Sequence, residues 1–254
     1  MRGMRWIIAT GLACLAAPGL AQDAGPRPPA VDPQAMQALD RMGKALRALS
    51  QFEVTADSTS EVVLEDGRKI ELGGTVDYKV RRPNGLFAKL KSDRRDREFY
   101  YDGKTLTIFA PATNFYATLP APDTIGALVQ KAQDDYGLEM PLADLFWWGT
   151  DKAPKTEIKS ATFVGPAFLH GEPVAQYVFR QGDVDWQVWL DKQDMPRKLV
   201  IVDNTASERP EFSAMLDWKP GASFSNDTFA FKPSKDDYEI LFFPGTLVAQ
   251  EGQQ

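Results

Sequence analysis

The sequence predicts a mainly β fold: one antiparallel sheet curled around a concavity that helices fill. Three observations predict it. From Phe52 to Leu119 apolar and polar residues alternate at a spacing of two, interrupted only by short turns. A second series of β-forming segments runs from Lys155 to Trp218. Before the first series, and between the two, apolar residues recur at three and four, the spacing of amphipathic helices. A lone sheet cannot bury its apolar face against itself, so the helices are its expected cover. No internal period of roughly 20 to 50 residues repeats, which excludes solenoids and propellers.

The first helix is expected over 33–49. Asp32 is a suitable N-cap and Pro33 a suitable first residue. Met36, Leu39, Met42, Leu46 and Leu49 form its apolar stripe, and Ser50 ends it. The strands then follow in order. Phe52, Val54 and Ala56 alternate with Glu53, Thr55 and Asp57. Asp66-Gly67 is a hairpin corner. Ile70 and Leu72 precede Gly73-Gly74, a pair that predicts a bulge or sharp bend. Val76, Tyr78 and Val80 alternate next. Arg82-Pro83-Asn84-Gly85 forms a turn, and Leu86, Ala88 and Leu90 run back. Glu98–Tyr101 and Lys104–Ala110 meet at the Asp102-Gly103 corner, and Phe115–Leu119 follows the turn at Pro111.

Two helices interrupt the strands. Asp123 can cap Thr124–Asp135, with Ile125, Leu128, Val129 and Ala132 on one stripe and Gly137 at its end. A short helix is expected from Pro141 to Trp148. Strands are then expected at Lys155–Val164, Glu172–Gln181, Val184–Leu190, Lys198–Asn204 and Glu211–Trp218, with short edge segments at Phe229–Phe231 and Tyr238–Phe243. The total is about eleven strands and three helices, in a domain spanning 32–248.

The N-terminus has the layout of a secretory signal peptide over residues 1–21. Arg2 and Arg5 precede the apolar run Trp6–Ala17, and Gly19 and Ala21 place the cut before Gln22. Cys14 does not form a lipobox, because Gly11 stands where Leu is needed and the apolar run continues past it. Residues 22–31 are rich in Pro and small residues and read as a flexible linker; 249–254 read as a disordered tail. Removing 1–21 takes two of the 29 Lys and Arg and none of the 35 acids, so 27 cations face 35 anions, a net charge of −8. The only cysteine leaves with the leader, so the mature chain has neither a disulfide nor a thiol nucleophile. An acidic surface does not favour nucleic acid or anionic lipid surfaces.

The sequence offers little to catalysis. His170 is the only histidine, and Gly171 and Pro173 place it in a loop. There is no G-x-S-x-G, HExxH, Walker or G-x-G-x-x-G motif. Asp134-Asp135 and Asp236-Asp237 are adjacent pairs whose side chains point apart. Asp183 and Asp185 share one strand face but have no substrate-binding context. Neither a metal nor a cofactor is expected. The hairpin segment Lys91–Glu98 mixes both signs; it reads as a solvated tip or as a docking patch for an acidic partner.

The strand text Gly74–Val80, the Arg82-Pro83-Asn84-Gly85-Leu86-Phe87 turn and the Tyr101-Asp102-Gly103-Lys104-Thr105-Leu106 hairpin resemble the lipoprotein localisation factors LolA and LolB. Val188–Asp191 before Met195–Lys198, and Phe229–Pro233, agree in outline. The likeness is greatest to uncharacterised predicted periplasmic proteins of that superfamily, whose PLADLF segment appears at 141–146. Thr107 departs from the pattern, standing where carriers often have an aromatic residue.

The resemblance implies an unclosed β-barrel of about eleven strands with a helical lid over an apolar cavity for acyl chains. It implies a periplasmic carrier or sensor of a lipid or acylated protein, not an enzyme, gated by lid segments 124–135 and 141–148. Tyr78, Leu90, Leu128, Val129, Phe146 and Trp147 are the candidate cavity residues. Arg82 matches the arginine that, in the carrier, hydrogen-bonds to the lid and controls its closure. A monomer is expected, and two other classes stay open: an envelope regulatory module acting by protein–protein interaction, with an inner- or outer-membrane protein as partner, and a hydrolase built on His170. The parity of the strands stays open too, since Ile108 and Phe109 compete for the inner face.

Overall fold

The computed structural model describes residues 30–241 apart from 139 and 151. The leader, its cut before Gln22, most of the linker and the tail lie outside the described residues. Helix α1 runs Pro33–Ala48, capped by Asp32, whose Oδ1 accepts from Gln34 N at 2.8 Å. Strands β1 Gln51–Val63, β2 Lys69–Arg81, β3 Gly85–Ser92, β4 Asp96–Tyr101, β5 Thr105–Ala110 and β6 Phe115–Pro120 follow. Helix α2 spans Ile125–Tyr136, and 3₁₀ turns occupy Ala143–Phe146 and Lys155–Glu157. The chain continues through β7 Ile158–Leu169, β8 Glu172–Gln181, β9 Val184–Leu190, β10 Pro196–Asp203 and β11 Glu211–Pro220, a 3₁₀ turn at Asn226–Thr228 and β12 Tyr238–Glu239.

All twelve strands form one sheet in the order β12-β6-β5-β4-β3-β2-β1-β11-β10-β9-β8-β7. Neighbours pair antiparallel except β12, which lies parallel to β6. The sheet is unclosed, since β7 and β12 form its two edges. Strand β1 is its keel, paired from Phe52 to Ser60 with β11 on one side and along its whole length with β2 on the other. The expected mainly β, lidded, unclosed sheet is therefore present, with a two-residue twelfth strand added to the eleven.

Helix α1 buries Ala35, Ala38, Leu39, Met42 and Leu46 in the core that the strands line. Asp32 also ties it to the sheet edge: its backbone N donates to Ala161 O at 2.9 Å and its Oδ2 accepts from Phe163 N at 3.2 Å.

Four local expectations are corrected. Gly73-Gly74 causes no bulge; β2 pairs with β1 without a shift through Ser58↔Gly74 and Thr59↔Gly73. The register shifts instead lie at Ile158/Ser160, Phe163/Gly165 and Pro196/Lys198. Thr124, not Asp123, caps α2, its hydroxyl accepting from Ala127 N at 3.3 Å. The segment from Pro141 holds only a single 3₁₀ turn, because Leu142 has φ 64 and breaks a continuous helix. Phe229–Phe231 is no strand: it follows a 3₁₀ turn and lies over the convex face, where Phe231 packs on Tyr100, Phe109 and Tyr116 with ring centroids 4.9–5.3 Å apart.

Candidate functional site

The concave face is built from alternate residues of each strand. Phe52, Val54 and Ala56 of β1, Val76, Tyr78 and Val80 of β2, and Leu86 and Ala88 of β3 are buried in one core. Their partners across the ladders follow by register, as Val54↔Tyr78 and Tyr78↔Ala88 do. On β5 the inner residues are Leu106 and Ile108, while Phe109 meets Phe231 outside. Beyond Ala56 the same face of β1 stops being core: Ser58, Ser60 and Val62 line an open trough.

The cover is fastened at several points. Tyr78 Oη donates to Pro141 O at 2.6 Å, and the Phe146 ring meets Tyr78 edge-on at 5.5 Å. Burial drives the Tyr78 phenol well above its ordinary pKa, so it is a hydrogen-bond donor at any physiological pH. Tyr101 Oη donates to Pro122 O at 2.5 Å just before α2, and Ile125 N donates to Pro83 O at 2.9 Å. Trp148 rests on Trp186 at 5.7 Å, and Trp186 stacks on Phe179 at 4.2 Å. Gly149 lies directly on Gly43 of α1.

Beneath and beside this cover runs a chain of cavities that share walls. A cavity of about 170 Å³ is lined by Met42, Leu142, Leu145, Trp148, Trp186 and Ile201, among others. A second, of about 390 Å³, shares Leu142 and Ile201 with it and adds Val129, Met140, Trp147 and Phe212. The trough, of about 640 Å³, shares Ser60, Pro141 and Phe212 with the second. Pockets that hold small ligands measure roughly 300–1,000 Å³. The two outer cavities fall in that range and the inner one does not.

The candidate cavity residues distribute among these spaces. Val129 and Trp147 border the 390 Å³ cavity, and Leu90 borders the trough. Tyr78 and Phe146 face a narrow gap of about 10 Å³ together with Arg82 and Trp218. Leu128 is fully buried in the core and borders none of these cavities. Trp147 carries a buried indole N–H with no hydrogen-bond partner among the described residues. The Arg82 Nε is likewise buried without a partner. Burial and the nearby Arg47 charge lower its affinity for a proton. At this turn the backbone carbonyl of Pro83, not the guanidinium, holds the cover among the described residues.

His170 stands exposed at the β7–β8 turn with φ 48, beside exposed Glu172. Asp185 is engaged by Arg180 at 2.7 Å and Arg209 at 3.0 Å, which hold its carboxyl below the usual range. No group of three or more potential metal ligands occurs among the described residues.

The sequence reading missed Met42, Leu142, Leu145, Trp148, Trp186, Ile201 and Phe212 as cavity residues. Alternation did mark Trp186, Ile201 and Phe212 as strand residues. Nothing local pairs them with residues of the cover, because those contacts join segments far apart in the chain.

The model of a family described as predicted periplasmic proteins (DUF2092) matches residues 35–243, and the chain belongs to that family. A comparison with curated protein sequences gives no match. In fold the chain is similar to an uncharacterised conserved protein from Thermus thermophilus, at 13% identity over 82% of this chain and 98% of that one, with a TM-score of 0.47. The Mycobacterium tuberculosis lipoprotein LppX is similar at 13% identity over 76% and 98%, with a TM-score of 0.47. A LolA superfamily protein from Nitrosomonas europaea is similar at 8% identity over 78% and 97%, with a TM-score of 0.37.

Proposed function

We propose that this member of a periplasmic family is a carrier or sensor that buries a lipophilic or acylated ligand between the concave sheet and its cover. The observation that carries the reading is the run of wall-sharing cavities from the trough to the Trp148–Trp186 contact, lined mainly by apolar side chains. Each methylene moved there from water contributes about 0.8 kcal/mol. The Trp147 indole N–H, without a partner among the described residues, supports the same reading, since a ligand carbonyl would satisfy a donor that is otherwise costly to bury. In this reading Tyr78, Leu90, Val129, Phe146 and Trp147 line the path, Leu128 backs it, and Arg82 borders it.

Native mass spectrometry of protein purified from the periplasm tests the proposal. A co-purifying lipid, or a mass shift on adding an acyl probe, is expected. Protein that is consistently lipid-free and shows no shift with any acyl probe ends the carrier reading.

A second reading, a regulatory module that binds a protein partner, has its own support in the edge strand β7. Phe168 is 74% exposed and Val164 53% exposed there. Recovery of a membrane protein on immobilised wild type, lost with Phe168→Ser, favours it.

A further inference from the structure

Among the described residues that border the trough, the charged ones are Lys91, Arg94 and Arg95, all from the β3–β4 hairpin, and none is an acid. This is notable in a chain with 35 acids and 29 bases. The hairpin's own acids, Asp93 and Asp96, do not border the trough. Neither Lys91 nor Arg94 has an ion-pair partner among the described residues, and both are exposed. Beneath them Val62, Leu72, Val76 and Leu90 give an apolar floor interrupted by Ser58, Ser60 and Thr75, and it leads to Phe212 and to Pro141 of the cover. The space therefore grades from cationic at its rim to apolar at its inner end.

We propose that Lys91 and Arg94 receive the anionic group, carboxylate or phosphate, of an amphiphile whose acyl chain lies along the trough floor toward the cover. The proposal rests on the carrier reading and specifies its ligand class. The arrangement suits an amphiphile on two counts. Exposed cations keep their hydration until a ligand arrives, so they cost nothing in the empty state. The apolar floor supplies affinity without chemical selectivity, which the cations then add through charge-assisted hydrogen bonds. In a chain with 35 acids and 29 bases, a rim whose described charged residues are all cationic is a place where an anion is welcome. Selectivity is read at the rim and affinity at the floor, so removing the cations changes which ligand binds more than whether one binds.

Isothermal titration of the full mature chain tests this with three probes below their micelle concentrations. These are hexadecanoate, a C16 lysophosphatidylglycerol and neutral monohexadecanoylglycerol. At roughly 20 mM salt at least one anionic probe should bind about tenfold more tightly than the neutral one. That preference should shrink at roughly 500 mM salt, where charges are screened within a few ångströms. Preference for hexadecanoate alone identifies a fatty acid as the source; preference for the lysolipid alone identifies a phospholipid. In Lys91→Ser/Arg94→Ser the preference should vanish while neutral binding persists. Lys192→Ser, at an exposed turn bordering none of the three cavities, should keep it. Arg94→Gln alone, at an exposed position, should halve the preference or more and serves if the double variant fails to fold. Equal binding of all three probes, or a preference that the variants retain, overturns the proposal and leaves the carrier reading standing. No binding by any probe overturns both.

Discussion

The backbones of Gly43 and Gly149 are in contact: a Cβ added to Gly43 would stand 2.6 Å from the Gly149 nitrogen. A Cβ on Gly149 would fall on the Gly43 carbonyl, and Gly149 has φ 81, a conformation other residues resist. The core helix and the cover thus meet without side chains between them. Alanine at 43 is favoured by helix propensity by about 1 kcal/mol. Gly43→Ala is nevertheless expected to destabilise the protein, by about 1–3 kcal/mol, because the clash is with backbone. A denaturant midpoint equal to or above wild type would show that the cover gives way freely.

Tyr78→Phe removes the hydroxyl that donates to Pro141 O and deprives that carbonyl of this donor. A loss of about 1–2 kcal/mol is expected. Amide exchange should rise around 140–150 before it rises in β1 or β2. Uniform acceleration across the sheet would mean that Tyr78 supports the core and does not fasten the cover.

Alkaline pH should open the same structure. Burial, with Asp123 and Asp102 nearby, raises the Tyr101 phenol to about 12, and Tyr78 is raised further by burial. A raised folded-state pKa favours the protonated form. Its contribution is complete below the unfolded value near 10 and is lost as pH climbs through the folded value. Spectrophotometric titration should show these phenols ionising together with unfolding between about pH 10 and 12. Ionisation of every tyrosine near pH 10 with secondary structure intact contradicts this.

Arg82→Met removes a partly buried cation whose Nε lacks a partner among the described residues and which Arg47 repels. The ligand-free protein should keep or raise its denaturant midpoint. A fall worth more than about 1 kcal/mol would show that the guanidinium latches the cover, as the LolA resemblance implies.

Phe231→Ala should cost about 2–4 kcal/mol, since its ring joins Tyr100, Phe109 and Tyr116 on the convex side. Acyl-probe affinity should not change, because none of the cavities described above borders Phe231. Lost binding in a folded variant would place the ligand on the outer face.

The strands were legible because a period of two is a local signal. Asp102 was legible for the same reason: its Oδ1 accepts from Lys104 N at 2.9 Å and Thr105 N at 2.8 Å, so it builds a corner. Burial raises its carboxyl pKa, but these hydrogen bonds outweigh that and hold it low. Parity on β5 was not legible because each face carries a large apolar residue, for different reasons. Leu106 and Ile108 serve the core, while Phe109 serves Phe231, more than a hundred residues later. Gly73-Gly74 misled because a flexible pair bends a strand only where its neighbours do not hold it, and β1 holds it in register. The cavity walls were the least legible part. Trp148 against Trp186 and Gly149 against Gly43 are meetings of distant segments that leave no spacing in the text.

The attachment of Asp32 to Phe163, 131 residues downstream, bears on how the chain assembles. Helix α1 emerges before every strand, yet the bonds that tie its capping residue to the sheet wait for β7, and β1 awaits β11. The β2–β6 meander can pair on its own from neighbouring hairpins. The keel of the sheet must stay half-paired until nearly the whole chain is present. Such distant pairings slow folding, so the interval in which β1 is exposed on one side is when a chaperone would be needed most.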